Sequence, residues 1–214
     1  PHALSPVAMF SLAAAATDSS APETAADRLE ALGRVLRSRP TWSATYLQEY
    51  LPAGMTGGET DRGTVWVSWP DRAQFRAGDP VVRTMGLDGR RVRLLDLDVP
   101  SCDDHRISDD EWARIPLAAV LDPQRAVERF TILDMENRGF ALIPREPGGV
   151  ARVEVELGAD SLPASVVIID PQGATNSLVF EGWSDTGLPP GDRWLPEPPA
   201  AIECLAEPDL DPGP

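Results

Sequence analysis

Thr41-Trp42-Ser43-Ala44-Thr45-Tyr46-Leu47-Gln48-Glu49-Tyr50 sets Trp42, Ala44, Tyr46, Gln48 and Tyr50 on one side of an extended chain. Ser43, Thr45 and Glu49 fall on the other, which is the period of two that a strand imposes. Immediately upstream the period is different: Ala25, Leu29, Leu32 and Leu36 recur at spacings of four and three, the apolar stripe of an amphipathic helix. Thr24 is placed to cap that helix, with Asp27 three residues on, and the helix stops at Arg39-Pro40, because a residue before proline is pushed out of the helical region. Downstream the strand grammar repeats through Gly63–Trp69, Ala73–Gly78, Val82–Leu87, Arg91–Asp96, Phe130–Met135, Gly139–Pro144, Val150–Leu157, Ser165–Asp170 and Thr175–Trp183. Asp88-Gly89, Pro147-Gly148-Gly149 and Asp170-Pro171-Gln172-Gly173 supply reversals between neighbouring runs. In Val150–Leu157 the alternation sets Val153, Val155 and Leu157 against Arg152, Glu154 and Glu156, as for a sheet wet on one face. The pattern predicts an α+β chain, mainly antiparallel β, whose long sheet curls into a half-barrel to hide its apolar face, with helices over the open side.

Residues 101–125 are expected to be a loop with a short helical piece around Pro116–Leu121, and the proline-rich tail from Pro196 an irregular segment that wraps or frays. Three parts are predicted: a leader over 1–20, one domain over 21–205 and an irregular acidic tail over 206–214. Val7 to Ala16 is too short to cross a bilayer and resembles the apolar stretch and small-residue cleavage region of a secretory signal without its basic start. Export is therefore expected, a tethered apolar helix or a disordered leader being the alternative. The 214 residues carry 34 acidic and 19 basic side chains, a net charge of −15, which repels nucleic acid and anionic lipid surfaces. All the basic residues are Arg, so chemistry that needs a lysine, such as a P-loop or a Schiff base, is excluded.

Cys102 and Cys204 are the two cysteines. They allow one disulfide, and two independent thiols are the alternative. Cys102-Asp103-Asp104-His105 looks like half of a metal site with the other half missing, and is read as a solvated loop. Glu154/Glu156 project from the polar side of a strand with Arg152 and are read as a solvated sheet face, a glycosidase pair needing two carboxyls that face each other across a cleft, and Gly57-Gly58 and Gly148-Gly149 lack dinucleotide-binding spacing. No catalytic group, metal or cofactor is expected. What remains is an apolar hollow: a curled sheet with a single covering helix has few elements to fill its concave side, so it has room for a lipid chain.

Several short motifs occur in a definite order along the chain. They are Trp42 to Gln48 as the strand after the first helix, Gly63-Thr64-Val65-Trp66-Val67-Ser68-Trp69-Pro70, Phe75-Arg76 with Pro80, Asp88-Gly89, Leu94-Leu95-Asp96, Pro116 to Leu121, Phe140 to Pro144, Asp170-Pro171-Gln172-Gly173 and Pro198-Pro199. In this order they resemble LolA, the family of periplasmic lipoprotein carriers, over roughly residues 25–203. The resemblance implies a half-open barrel of about eleven strands, lidded by the N-terminal helix and short helices, that carries lipoprotein or other lipid acyl chains and is not an enzyme. It also implies a monomer in the periplasm, served by an inner-membrane lipoprotein-releasing transporter and an outer-membrane acceptor. The cavity and lid would be made by Leu29, Leu32, Leu36, Trp42, Tyr46, Val65, Val67, Trp69, Phe75, Leu117, Leu121, Phe130, Leu142, Val155 and Phe180. Trp69 stands where the family has a lid-latching Arg, and Ala73 where it has an aromatic residue. A lipoprotein-sensing regulatory module of related fold, or an acid–base hydrolase, are the competing readings.

Overall fold

The computed structural model describes residues 23–108, 120 and 123–206. The leader, the Pro116–Leu121 helical piece with Leu117 and Leu121 but not Val120, and the end of the tail lie outside the described residues.

Helix α1, Ala25–Arg37, begins at the predicted cap. Asp27 N–H donates to the Thr24 hydroxyl at 3.2 Å and Thr24 N–H to the Asp27 carboxylate at 2.9 Å, satisfying two donors that a helix start leaves open. Its stripe of Ala25, Leu29, Leu32 and Leu36 is buried.

The strands are β1 (Trp42–Leu51), β2 (Glu59–Ser68), β3 (Arg72–Ala77), β4 (Arg83–Asp88), β5 (Arg91–Asp96), β6 (Ser101–Arg106), β7 (Phe130–Asp134), β8 (Gly139–Pro144), β9 (Arg152–Leu157), β10 (Pro163–Ile169), β11 (Thr175–Ser184) and the two-residue β12 (Leu205–Ala206). Helix α2, Pro123–Arg129, leads into β7. One sheet holds them all, in the order β12-β6-β5-β4-β3-β2-β1-β11-β10-β9-β8-β7. It is two antiparallel meanders, β1 to β6 and β7 to β11, joined where β1 pairs antiparallel with β11. β12 returns to lie parallel to β6.

α1 closes the β7–β8 end. Ala25 N–H donates to Asp134 Oδ1 at 2.7 Å, and the Arg28 guanidinium donates to the Gly139 carbonyl at 2.7 Å. Leu29 and Leu32 pack into a core shared with Phe130, Phe140, Leu142, Val153 and Val155, all at most 2% exposed.

One expectation is corrected. Ser101–Arg106 is not a loop but a strand, β6, in register with β5. Its acidic character suggested a solvated segment, yet Arg93 stands directly opposite Asp104, and cross-strand pairing of opposite charges stabilises a sheet. Arg91 grips the Asp104 carboxylate at 2.7 and 2.8 Å, and Arg93 at 2.8 and 2.5 Å. These hydrogen bonds, Arg91's foremost, hold Asp104 below its ordinary 3.8 against the burial that would raise it. A carboxyl so lowered contributes stability above the unfolded-state pKa, and that contribution is lost as pH falls through the folded one. The stability difference between the protein and Asp104→Asn should therefore be constant from pH 6 to 8 and shrink below about pH 4. Urea midpoints across that range check it, and a gap independent of pH would contradict the lowered value.

Candidate apolar trough

Register turns the sheet's alternation into a concave lining. Ala44, Val65, Phe75, Met85, Leu94 and Asp103 form one row across β1 to β6. The next inward-facing row is Tyr46, Gly63, Ala77, Arg83, Asp96 and Ser101. Residues of these rows meet Ile168 of β10 and Asn176 and Leu178 of β11 around a trough of about 710 Å³. Eight consecutive strands, β6 through β10 in sheet order, contribute to it, so the sheet curls into the half-barrel that its pattern requires.

A second, narrower pocket of about 110 Å³ lies under α1. It is lined by Leu36, Val65, Val67, Val120, Val166, Phe180 and Trp183 among others, every described lining residue being aliphatic or aromatic. The Trp183 indole N–H is satisfied by the Pro163 carbonyl at 2.7 Å, so the ring brings no unmet donor into this dry space. Phe75, Ile168 and Leu178 line both cavities. They form a throat between a polar-rimmed mouth and an apolar interior.

The mouth is held by cross-strand contacts. Arg83 is bonded to Asp61 at 2.5 Å and the Gln48 amide donates to Asn176 at 2.9 Å. Tyr46 lies edge-on to Phe75 with ring centroids 5.7 Å apart. Gly63 stands opposite Tyr46. A Cβ there would come within 2.7 Å of the phenol oxygen and 2.0 Å of the Arg76 carbonyl oxygen, so only glycine lets the ring lie across β2. Burial, reinforced by the Asp61 charge and opposed by Arg83, pushes the Tyr46 hydroxyl up to about 12. It is a neutral O–H donor at any ordinary pH.

The family model described as outer membrane lipoprotein carrier protein LolA matches residues 37–192. The chain belongs to the LolA family. It is 26% identical over 170 residues to an outer-membrane lipoprotein carrier protein of Xylella fastidiosa strain 9a5c, covering 77% of this chain and 80% of that protein. Among solved structures it is similar to the LolA superfamily protein NE2245 of Nitrosomonas europaea, with a TM-score of 0.42, 9% identity and coverage of 78% and 96%. It is also similar to the Pseudomonas aeruginosa MucA/MucB complex, with a TM-score of 0.45, 16% identity and coverage of 75% and 56%.

The LolA-like residues singled out from sequence divide by position. Tyr46 and Phe75 line the trough, while Leu36, Val65, Val67, Phe75 and Phe180 line the inner pocket. Leu29, Leu32, Phe130, Leu142 and Val155 are packed in the core, and Trp42 rests against it with its indole N–H on the Val35 carbonyl at 3.2 Å. Trp69, where the family resemblance places a latching Arg, is 43% exposed and lies under the Arg37 guanidinium at 6.0 Å. Sequence reasoning missed Ile168, Leu178 and Trp183, and the polar groups of the mouth. Among the described residues no helix is long and apolar enough to cross a membrane.

Proposed function

We propose that this LolA-family chain is a periplasmic carrier that shelters the acyl chains of lipoproteins, or of another lipid, and shuttles them toward the outer membrane. It would receive its cargo from an inner-membrane lipoprotein-releasing transporter and pass it to an outer-membrane acceptor. The observation that carries the reading is the continuity of the trough with the dry pocket through Phe75, Ile168 and Leu178. A volume of about 710 Å³ falls within the range of clefts that enclose small ligands. Each methylene taken out of water is worth about 0.8 kcal/mol, so partial entry of one chain gives useful affinity while a half-open wall leaves the cargo transferable. Two further features support the setting. The Cys102–Cys204 disulfide suits an oxidising compartment, and a net charge of −15 keeps a shuttle off anionic headgroups.

Native mass spectrometry of the full chain, purified after expression in the presence of bacterial membrane lipids, tests the reading. The expected result is a bound species of lipid or lipopeptide mass. A uniformly lipid-free protein that also fails to take lipoprotein out of membrane vesicles would overturn it.

A further inference from the structure

The carrier reading explains the apolar interior and leaves the mouth of the trough without a role. Tyr46 is 5% exposed, lines the trough, and makes no hydrogen bond with a described residue. Its ring is buried while its O–H opens onto the space that a guest would fill, where it is free to donate. Around it the charges are lopsided. Glu59, Asp61, Asp96 and Asp103 line the same cavity against one guanidinium among the described lining residues, that of Arg83. Arg83 is already engaged by Asp61 at 2.5 Å. Asp96 directs one oxygen to the N–H groups of Asp98 and Val99 at 2.8 and 3.0 Å. Glu59 and Asp103 have no ion-pair partner among the described residues.

An anionic head placed in this mouth would meet uncompensated carboxylates, and a cationic one would compensate them. Resting on the carrier reading above, we propose that the mouth selects amphiphiles whose head carries an ammonium group. Tyr46 donates to the ester or amide carbonyl at the top of the chain, and Glu59 and Asp103 flank the cation. The acyl chain then runs past Phe75 and Ile168 into the pocket under α1. This ammonium chemistry has two sources: the free α-amine of a diacylated lipoprotein N-terminus, and the ethanolamine head of a phospholipid.

Displacement of a fluorescent acyl probe from the full chain separates the outcomes. Four competitors are compared: a diacylglyceryl-cysteine peptide with a free amine, the same peptide N-acetylated, phosphatidylethanolamine, and phosphatidylglycerol with the same chains. At least one amine-bearing member should bind about tenfold more tightly than its pair, the scale of a few partly exposed charge contacts acting together. That preference should decline with added salt and approach unity in the double variant Glu59→Gln, Asp103→Asn. Tyr46→Phe should weaken all four about fivefold, the scale of one hydrogen bond. Discrimination within the peptide pair alone assigns the amine to lipoprotein, and within the lipid pair alone to phospholipid. Equal binding within both pairs overturns the headgroup assignment and leaves the carrier reading standing. Failure of all four to bind overturns both. The salt dependence of the unmodified protein keeps the test decisive should the double variant not fold.

Discussion

Replacing Cys102 and Cys204 together by Ser is expected to lower the unfolding free energy by about 4–5 kcal/mol, the chain-entropy value for a closed loop of about a hundred residues. The bridge joins residues 102 apart in sequence, and it holds more than a chain end. Gln74, Gly86, Arg93 and Asp104 form a row on the opposite side of the sheet from Phe75 and Met85. The tail lies across that row. The Gln74 amide donates to the Arg193 and Trp194 carbonyls at 2.9 and 3.1 Å, and Arg93 donates to the Pro196 carbonyl at 2.9 Å. Gly86 permits the crossing, since a Cβ there would lie 2.3 Å from the Trp194 carbonyl oxygen and 2.6 Å from Pro196 Cδ. Residues 193–206 thus strap the backs of β3 to β6, the wing that forms one wall of the trough, and β12 covers the β6 edge. Reduction of the disulfide and the double Ser variant should shift the urea midpoint alike. A loss below about 1 kcal/mol would mean that packing and these hydrogen bonds alone hold the strap.

Much of this architecture is legible in the sequence because burial selects one face of each element. The Thr24 and Asp27 cap, the stripe from Ala25 to Leu36 and the inward set Val153, Val155 and Leu157 all fall where the period puts them. Legibility fails where tertiary pairing overrides composition. β6 reads as loop because its charge is conspicuous, and the residues that neutralise it, Arg91 and Arg93, belong to another strand. Ser165-Val166-Val167-Ile168-Ile169 is apolar at nearly every position, so no alternation tells which side faces the trough. Val166 and Ile168 do. Core and cavity lining are also the same chemistry in one dimension. Leu32 and Leu36 belong to a single stripe, yet only Leu36 reaches the pocket, because Leu32 meets the core under the β7–β8 end. The mouth carries a signal that can be found: Gln48 is a polar residue on the face of Tyr46, and Asn176, opposite Tyr50 on the neighbouring strand, lies diagonally within hydrogen-bond reach of it.

Ile168→Trp should abolish most acyl-chain binding while leaving the fold intact. Ile168 lines both the trough and the inner pocket, so an indole at that point blocks the throat that a chain must pass. Denying a chain three or four methylenes of depth, at about 0.8 kcal/mol each, removes about 3 kcal/mol, or roughly a hundredfold in Kd. Overpacking a filled core costs about 1–3 kcal/mol, but here the added ring enters open space, so the urea midpoint should move little. The contrast with Leu32→Ala makes the result specific. Leu32 is fully buried in the core, its truncation should cost about 2–5 kcal/mol of stability, and the folded fraction should still bind lipid. Fluorescent fatty-acid titration alongside urea unfolding reads both quantities. Undiminished lipid binding by a folded Ile168→Trp protein would place the guest elsewhere, because no chain could then reach the pocket under α1 by way of Phe75 and Leu178.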